Sequence, residues 1–140
     1  MTTADYLLKG ISLPDGTKTD VAIAGGLISS MSSEYKGEVK VVIDAKDCVV
    51  LPGLVDLHTH LREPGREDAE TVLSGSSAGV KGGYTAVSAM ANTSPVADTA
   101  GVVEQVYRLG QEAGLLDVFP IGAVTQGLKG ESLSEIGAMA

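Results

Sequence analysis

The sequence predicts an α/β protein in which a β-rich segment, residues 1–47, precedes three strand–helix units in residues 48–140. Two observations predict this class. In the first segment, short apolar runs alternate with Gly- and Asp-containing turns about every ten residues, which is typical of a small antiparallel sheet. In the second, apolar runs alternate with longer amphipathic stretches, and such a series implies parallel strands joined by right-handed crossovers.

The predicted strands lie at Cys48–Leu57, Tyr84–Met90 and Asp117–Val124, and the predicted helices lie at Glu67–Lys81, at Ala97–Ala113 and from Glu131 onward. The first strand is almost entirely apolar, as are strands that are buried on both faces of a parallel sheet. The first predicted helix has acidic residues in its first turn, where negative charge interacts favourably with the helix dipole. Gly82 and Gly114 are expected to end helices, because glycine closes a helix without a steric penalty.

Three strand–helix units fall short of a closed eight-fold barrel, which needs roughly 250 residues. The chain also reaches Ala140 within a predicted helix. We therefore expect the first part of something longer, with the third strand left as an open edge that exposes apolar surface.

Composition excludes several classes of function. The hydrophobic fraction of 44% is enough for a folded core. With 10 basic against 18 acidic residues, the net charge of -8 disfavours binding to nucleic acid or to anionic membranes. No apolar run approaches the roughly 20 residues that span a bilayer. The single cysteine, Cys48, can form no internal disulfide and is expected to pack as a small apolar residue, so we expect a soluble, cytoplasmic protein.

The chain's only two histidines, His58 and His60, follow the first buried strand. Side chains alternate along a strand, so both imidazoles project to the same side. Two imidazoles so placed can reach one cation at about 2.0–2.1 Å. The carboxyl ends of barrel strands are also where barrel enzymes keep their chemistry. The pair is therefore a candidate metal site. The alternative is an incidental pair of histidines at a strand end, and the residues alone favour neither interpretation.

Two further side chains suit a carboxylated ligand. Arg62 continues the alternation and could hold a carboxylate through two parallel hydrogen bonds; otherwise it is a solvated arginine paired with Glu63 or Asp68. Asn92 follows the second strand at the corresponding position, where its amide could donate to the same carboxylate. The alternative for Asn92 is a turn residue ahead of Pro95.

Other residues have weaker claims to the site. Asp56 lies two residues before His58 and is expected to support the metal ligands from behind. Thr125 and Gln126 end the third strand in the same layer and could line the mouth of the site, although a plain loop role is favoured.

A specific resemblance rests on two strings, PGLVDLHTHLREPG at residues 52–65 and MANTSP at residues 90–95, supported by GRED at 65–68 and GGYT at 82–85. With these strings the chain resembles the amidohydrolase superfamily and, more narrowly, the dihydroorotases of the longer bacterial type. The resemblance runs through essentially the whole chain, including the β-rich start.

The resemblance implies a zinc-dependent cyclic amidohydrolase on a (β/α)8 barrel that is preceded by a small β-sandwich. By matching position, His58 and His60 would bind one or two Zn²⁺ ions, and His60, Arg62 and Asn92 would bind the substrate. The implied reaction interconverts N-carbamoyl-L-aspartate and (S)-dihydroorotate in pyrimidine biosynthesis. Zinc would lower the pKa of bound water towards about 7 and polarise the carbonyl, while Arg62 fixes the ring. No catalytic residue is implied within the chain, since the general base is expected beyond Ala140.

The resemblance also implies a small-molecule substrate, a homo-oligomer in the complete protein, and aspartate carbamoyltransferase as a potential partner. Two departures stand out. The family commonly has proline where this chain has Ala91, and its remaining metal ligands belong to strands beyond Ala140. Lys129 lies in a Gly-flanked loop and is not expected to serve as a bridging ligand. We therefore expect residues 1–140 alone to bind metal weakly and to show no measurable turnover.

Two alternatives remain. The first is an allantoinase- or hydantoinase-type cyclic amidase. Arg62 together with Asn92 argues against it, because this pair favours a carboxylated substrate. The second is a catalytically inactive relative that is retained as a partner of aspartate carbamoyltransferase. Intact His58, His60, Arg62 and Asn92 argue against the second, because a scaffold does not need them.

Overall fold

A computed structural model describes residues 3–140, which form one compact unit that ends at Pro52 and another that runs from Gly53 to Ala140. The strands are β1 (Ala4–Ser12), β2 (Lys18–Ala24), β3 (Leu27–Ser32), β4 (Val39–Asp44), β5 (Leu54–Thr59), β6 (Tyr84–Ala89) and β7 (Asp117–Pro120). The helices are α1 (Val72–Lys81), α2 (Ala100–Ala113) and the short α3 (Ile136–Met139), and Gln126–Leu128 form one 3₁₀ turn.

The first unit is a four-stranded sheet in the order β3-β2-β1-β4. β2 runs antiparallel to both of its neighbours, as predicted, but β4 runs parallel to β1. The prediction of a purely antiparallel sheet was therefore wrong. The chain leaves β3 at one edge and enters β4 at the other, and a connection that crosses the sheet in this way can deliver a parallel strand. The described residues of this unit form one sheet, so they supply a single layer of the expected sandwich.

A buried carboxylate organises the middle of this sheet. Asp20 accepts the backbone N–H of Gly10 at 2.9 Å and that of Tyr35 at 3.0 Å. Gly10 has a φ of 71° and lies at the irregularity in the pairing of β1 with β2. The N–H groups of Tyr35 and Gly10 lower the pKa of Asp20, because they stabilise its charged form.

The strand that precedes the histidines begins at Leu54 and not at Cys48 as predicted. The intervening stretch continues the first unit instead: Ser12 N–H donates to the Cys48 carbonyl at 3.0 Å, and Val50 N–H donates to the Ser12 carbonyl at 2.9 Å. The Cys48 side chain is exposed, so the expectation that it packs as a small apolar residue was wrong.

The second unit is a parallel sheet in the order β5-β6-β7, which confirms the predicted direction of the three strands. Helices α1 and α2 pack against it around a buried core made of Leu61, Val72, Val87, Ala89, Val106, Leu116 and Val118. The approach of α2 to β7 is close, because a Cβ atom on Gly110 would lie 2.6 Å from the Cβ of Val118.

Strand β5 is not buried on both faces, contrary to the prediction. Its apolar side chains Leu54, Val55 and Leu57 are exposed, Leu57 by 73%. Within residues 3–140 β5 also has β6 as its single neighbour in the sheet, so its other edge is open. At the opposite edge Phe119 of β7 is also half exposed, which matches the expected apolar open edge.

Helix boundaries differ from the prediction mainly at the starts. α1 begins at Val72 and not at Glu67, because Thr71 and Ser74 form a reciprocal capping box that fixes the first turn there. α2 begins at Ala100, after Thr99, and ends as predicted at Gly114, which has the left-handed φ of 61°. α3 begins at Ile136 and not at Glu131.

The other strand ends also move inward. β6 ends at Ala89 and not Met90, and β7 ends at Pro120 and not Val124. None of the helices formed by residues 3–140 has the length and apolar character needed to cross a membrane.

Candidate active site

The candidate site lies at the carboxyl end of the parallel sheet. Because β5, β6 and β7 run in the same direction, the segments that follow them all emerge at one edge. Backbone hydrogen bonds extend the alignment beyond the strands: Met90 N–H donates to the Thr59 carbonyl at 2.9 Å, and Ile121 N–H donates to the Ala89 carbonyl at 2.8 Å. Three segments, residues 60–71, 90–99 and 121–135, therefore start side by side.

The structure brings His58 and His60 together. Their ring centroids are 5.2 Å apart and their planes are inclined by 72°. His58 is on β5 and His60 follows its last residue, Thr59, so the alternation of the strand carries both rings to one side. Rings this close can turn one nitrogen each towards a shared cation, so the pair fits two ligands of a metal ion.

The His60 ring also has a partner on the next segment. His60 Nδ1 lies 2.7 Å from Asn92 Oδ1. Asn92 comes after β6, beside Ala91, which is buried against Ala97 and Ala123. Asn92 was predicted to follow the second strand at the position that corresponds to the site, and it lies beside His60; its role towards a substrate stays a prediction.

Asp56 acts on the backbone of this strand and not on an imidazole. Its carboxylate accepts the N–H of His58 at 2.9 Å, and this hydrogen bond lowers the pKa of Asp56. Asp56 therefore contacts the main chain of His58, and its support of a metal ligand stays a prediction.

Arg62 was predicted to continue the alternation of the strand, and this prediction was wrong. The strand ends at Thr59, and Arg62 has a φ of 64°, a left-handed conformation that is uncommon for a residue with a side chain. The guanidinium is exposed and forms no ion pair with any residue in 3–140. Asp68, its suggested partner, lies 3.5 Å from Arg66 Nε instead. Residues with side chains in this sparsely populated conformation cluster at functional sites.

Glu63 has a role that the sequence analysis missed. Its Oε2 accepts the backbone N–H of Val72, the first residue of α1, at 2.7 Å. The first N–H groups of a helix have no partner within the helix, so this carboxylate supplies one. The contact spans nine positions along the chain, and no local sequence pattern signals a hydrogen bond of that kind.

The segments after β5 and β6 are tied together at Gly65. Ser94 N–H donates to the Pro64 carbonyl at 2.9 Å, and the Ser94 carbonyl occupies the space where a Cβ on Gly65 would lie. The Gly65 N–H in turn donates to Glu67 Oε1 at 2.7 Å, which lowers the pKa of Glu67. The loop that carries Arg62 is therefore fixed to the loop that carries Asn92.

The segment after β7 is joined to the second segment by two further hydrogen bonds. Gly127 N–H donates to Asp98 Oδ2 at 2.7 Å, and Ala123 N–H donates to the Ala97 carbonyl at 2.7 Å. The side chains of Thr125 and Gln126, the candidates for the site mouth, hydrogen bond to Gly130 and Ser132 within their own segment. Lys129 is exposed in the same segment.

The described residues do not complete a metal site. No group of three or more His, Cys, Asp or Glu side chains within residues 3–140 is placed to hold an ion. Catalytic zinc sites usually have three protein ligands, so His58 and His60 could supply part of one.

Comparison with known proteins decides the family. A family model described as Dihydro-orotase-like matches residues 47–140, which is most of the chain. The chain belongs to this dihydroorotase-like family. The match includes every candidate site residue discussed above, from Asp56 to Gln126.

Individual dihydroorotase-like relatives agree with this assignment. The chain is 59% identical over 133 residues to the dihydroorotase of Streptomyces coelicolor, covering 95% of this chain and 31% of that protein. It is 56% identical over 140 residues to the dihydroorotase of Leifsonia xyli, covering 100% of this chain and 32% of that one. The chain thus spans about a third of the length of these relatives.

A solved structure supports the fold of this dihydroorotase-like chain. The L-hydantoinase (dihydropyrimidinase) from Arthrobacter aurescens superposes with a TM-score of 0.71 at 24% identity, covering 90% of this chain and 29% of that one. At this identity the likeness concerns the fold, which is mixed α/β in both.

Proposed function

We propose that this chain is the amino-terminal portion of a dihydroorotase, a cyclic amidohydrolase of pyrimidine biosynthesis that interconverts N-carbamoyl-L-aspartate and (S)-dihydroorotate. One observation carries the proposal: the paired imidazoles of His58 and His60 lie beside Asn92, on a segment that is tied to the loop of Arg62. The identity of 59% to a dihydroorotase supports the same substrate.

His58 and His60 would hold the metal, which we propose to be zinc, in one or two ions. Zinc, when bound, supplies a Lewis acid for the ring carbonyl and an acidified water. The further ligands and the general base would come from outside residues 1–140, because residues 3–140 bring two histidines together but no third ligand.

Arg62 would bind the substrate carboxylate and orient the ring. A guanidinium can form two parallel charge-assisted hydrogen bonds with a carboxylate, and that of Arg62 is exposed and unpaired within the described chain. The amide NH₂ group of Asn92 supplies two more donors. Allantoin and hydantoin carry no carboxylate on the ring, so these donors favour dihydroorotate over the substrates of related amidases.

A chimera tests this proposal in a complete protein. The matching third of the Streptomyces coelicolor dihydroorotase is replaced by residues 1–140 of this chain, and ring opening of dihydroorotate, allantoin and hydantoin is assayed. We expect dihydroorotate to be the preferred substrate, and Arg62→Ala to lower kcat/KM for it about 100-fold through the loss of charged hydrogen bonds. Preference for allantoin or hydantoin would overturn the proposal.

Two controls define the contribution of the chain itself. His58→Ala in the chimera should abolish bound zinc and activity together, whereas a zinc-free but folded chimera without that change would favour the inactive-partner alternative. The isolated chain should bind Zn²⁺ weakly and show no turnover above its His58→Ala variant. Turnover in the isolated chain would contradict the expectation that further barrel strands are required.

A further inference from the structure

The contact between His60 and Asn92 constrains where the imidazole carries its proton. Asn92 Oδ1 has no hydrogen to give, so the 2.7 Å contact is a hydrogen bond only if His60 Nδ1 donates. In a neutral imidazole one nitrogen is protonated and the other has a free lone pair. With Oδ1 turned towards the ring, the contact is made by an imidazole that is protonated at Nδ1, and the neutral form of that kind keeps the lone pair of Nε2 free to bind.

The backbone holds Asn92 in place for this contact. Two residues earlier, Met90 N–H donates to the Thr59 carbonyl at 2.9 Å, next to His60 in the chain. One residue earlier, Ala91 is buried and its carbonyl accepts the N–H of Ala97 at 3.0 Å. The exposed amide of Asn92 is thus anchored through its neighbours and not through burial of its own side chain.

We propose that Asn92 is a positioning residue that holds His60 in the Nδ1–H tautomer while its amide NH₂ group stays available to a carboxylate. The inference deepens the proposed function, on which the identity of the carboxylate and of the Nε2 partner rests. It gives one side chain two tasks: Oδ1 orients a histidine and Nδ2 recognises an acid.

The two tasks are chemically coupled. When a carboxylate accepts a hydrogen bond from the NH₂ group, the amide is polarised and its oxygen becomes a stronger acceptor. A stronger Oδ1 acceptor draws the Nδ1 proton of His60 more firmly and increases electron density at Nε2. Binding of an acid at Asn92 therefore makes His60 a better ligand.

The tautomer can be measured directly in the 140-residue chain. Two-bond ¹H–¹⁵N correlation spectra at alkaline pH, where imidazoles are neutral, distinguish the tautomers, and the chain has only two histidines to assign. We expect His60 to be predominantly Nδ1–H. Asn92→Ala should shift it to the Nε2–H form, which free histidine side chains prefer, and leave His58 unchanged as the internal reference.

Asn92→Asp is the matched control, because a carboxylate still accepts from Nδ1 but donates nothing. It should keep the Nδ1–H tautomer. A titration with Zn²⁺ supplies the second readout: Asn92→Ala should weaken binding about 10–100-fold, whereas Asn92→Asp should not weaken it.

A predominantly Nε2–H form of His60 in the unaltered chain overturns the proposal without any variant. So does an Nδ1–H form that persists in Asn92→Ala. Failure of the proposed function looks different: Zn²⁺ would then shift the resonances of neither histidine, while the tautomer of His60 would still respond to Asn92→Ala.

Discussion

The backbone carbonyl of Ser94 lies against Gly65 at the position that a Cβ atom would occupy. Gly65 has a φ of 102°, which side chains also disfavour, and its neighbour Pro64 accepts the Ser94 N–H at 2.9 Å. The loop of the candidate arginine and the loop of the candidate asparagine are thus joined at a point that only glycine fits.

Gly65→Ala should therefore lower the free energy of unfolding by about 1–3 kcal/mol, because both the conformation and the space resist a Cβ atom. Urea unfolding measures the change. Gly101→Ala is the control: it lies in α2 with no atom within 4 Å of an added Cβ, and should raise the stability by about 0.5–1 kcal/mol. Equal stability of the two variants would contradict the close packing.

Arg62→Gly should separate the conformation of Arg62 from its charge. A left-handed backbone conformation destabilises a residue with a side chain by about 1–2 kcal/mol, and glycine removes this cost. Glycine also loses more chain entropy on folding, which offsets about 0.5–1 kcal/mol of the gain. The free energy of unfolding of the chain should stay level or rise slightly, while the chimera should lose dihydroorotate binding, seen as a raised KM. Leu128→Gly, at a φ of 60°, is the matched control and should leave KM unchanged. A clear loss of stability in Arg62→Gly would show that Arg62 has a structural role.

Ser76→Ala should stabilise the chain. The Ser76 hydroxyl is fully buried in α1 and has no hydrogen-bond partner among the described residues. Its removal relieves an unsatisfied polar group and improves helix propensity, for a gain of about 1 kcal/mol in thermal or urea unfolding. The adjacent Ser77 is exposed and donates to the Leu73 carbonyl at 2.8 Å, so Ser77→Ala should change stability much less. Destabilisation by Ser76→Ala would mean that the hydroxyl has a partner.

Asp20 should make the first unit sensitive to acid. The N–H groups of Tyr35 and Gly10 lower the pKa of Asp20 in the folded chain. The contribution of Asp20 to the free energy of unfolding is therefore complete above the unfolded pKa of about 3.9, and it is lost as the pH falls through the lower folded pKa. Asp20→Asn should flatten the acid limb of stability against pH. At neutral pH it should destabilise by about 1–3 kcal/mol, because one amide nitrogen would face an N–H donor. Exposed Asp47→Asn serves as the control, and an unchanged acid limb in Asp20→Asn would contradict the assignment.

The sequence predicts the parts of the site that follow from strand periodicity. The one-residue spacing of His58 and His60 places both rings on one side, and the parallel strands bring Asn92 next to them. Arg62 escapes this logic, because its left-handed φ depends on how residues 61–65 leave the strand. Alternation still holds for His60, one residue beyond the end of β5, but it fails at the left-handed conformation of Arg62.

Features that depend on residues far apart in the chain could not be predicted from the sequence for related reasons. Glu63 caps a helix that begins nine positions later, and the start of α1 is fixed by Thr71 and Ser74 and not by the acidic residues before it. The parallel pairing of β4 with β1 depends on which edge of the sheet the chain reaches. An apolar strand likewise indicates burial only when neighbours cover it, and the exposed Leu57 of β5 has none in the described chain.

The main-chain ties among the three segments have a consequence for divergence. The Pro64 carbonyl binds the Ser94 N–H, and the Ala97 carbonyl binds the Ala123 N–H, so peptide groups form much of the rim. Peptide groups are common to all residues, so the side chains of Ser94, Ala97 and Ala123 can be exchanged without removing these two hydrogen bonds. Gly65 is the exception, because the backbone carbonyl of Ser94 occupies the space that a side chain would need. Point substitutions in these segments can therefore change which cyclic substrate is preferred while the backbone conformation is kept.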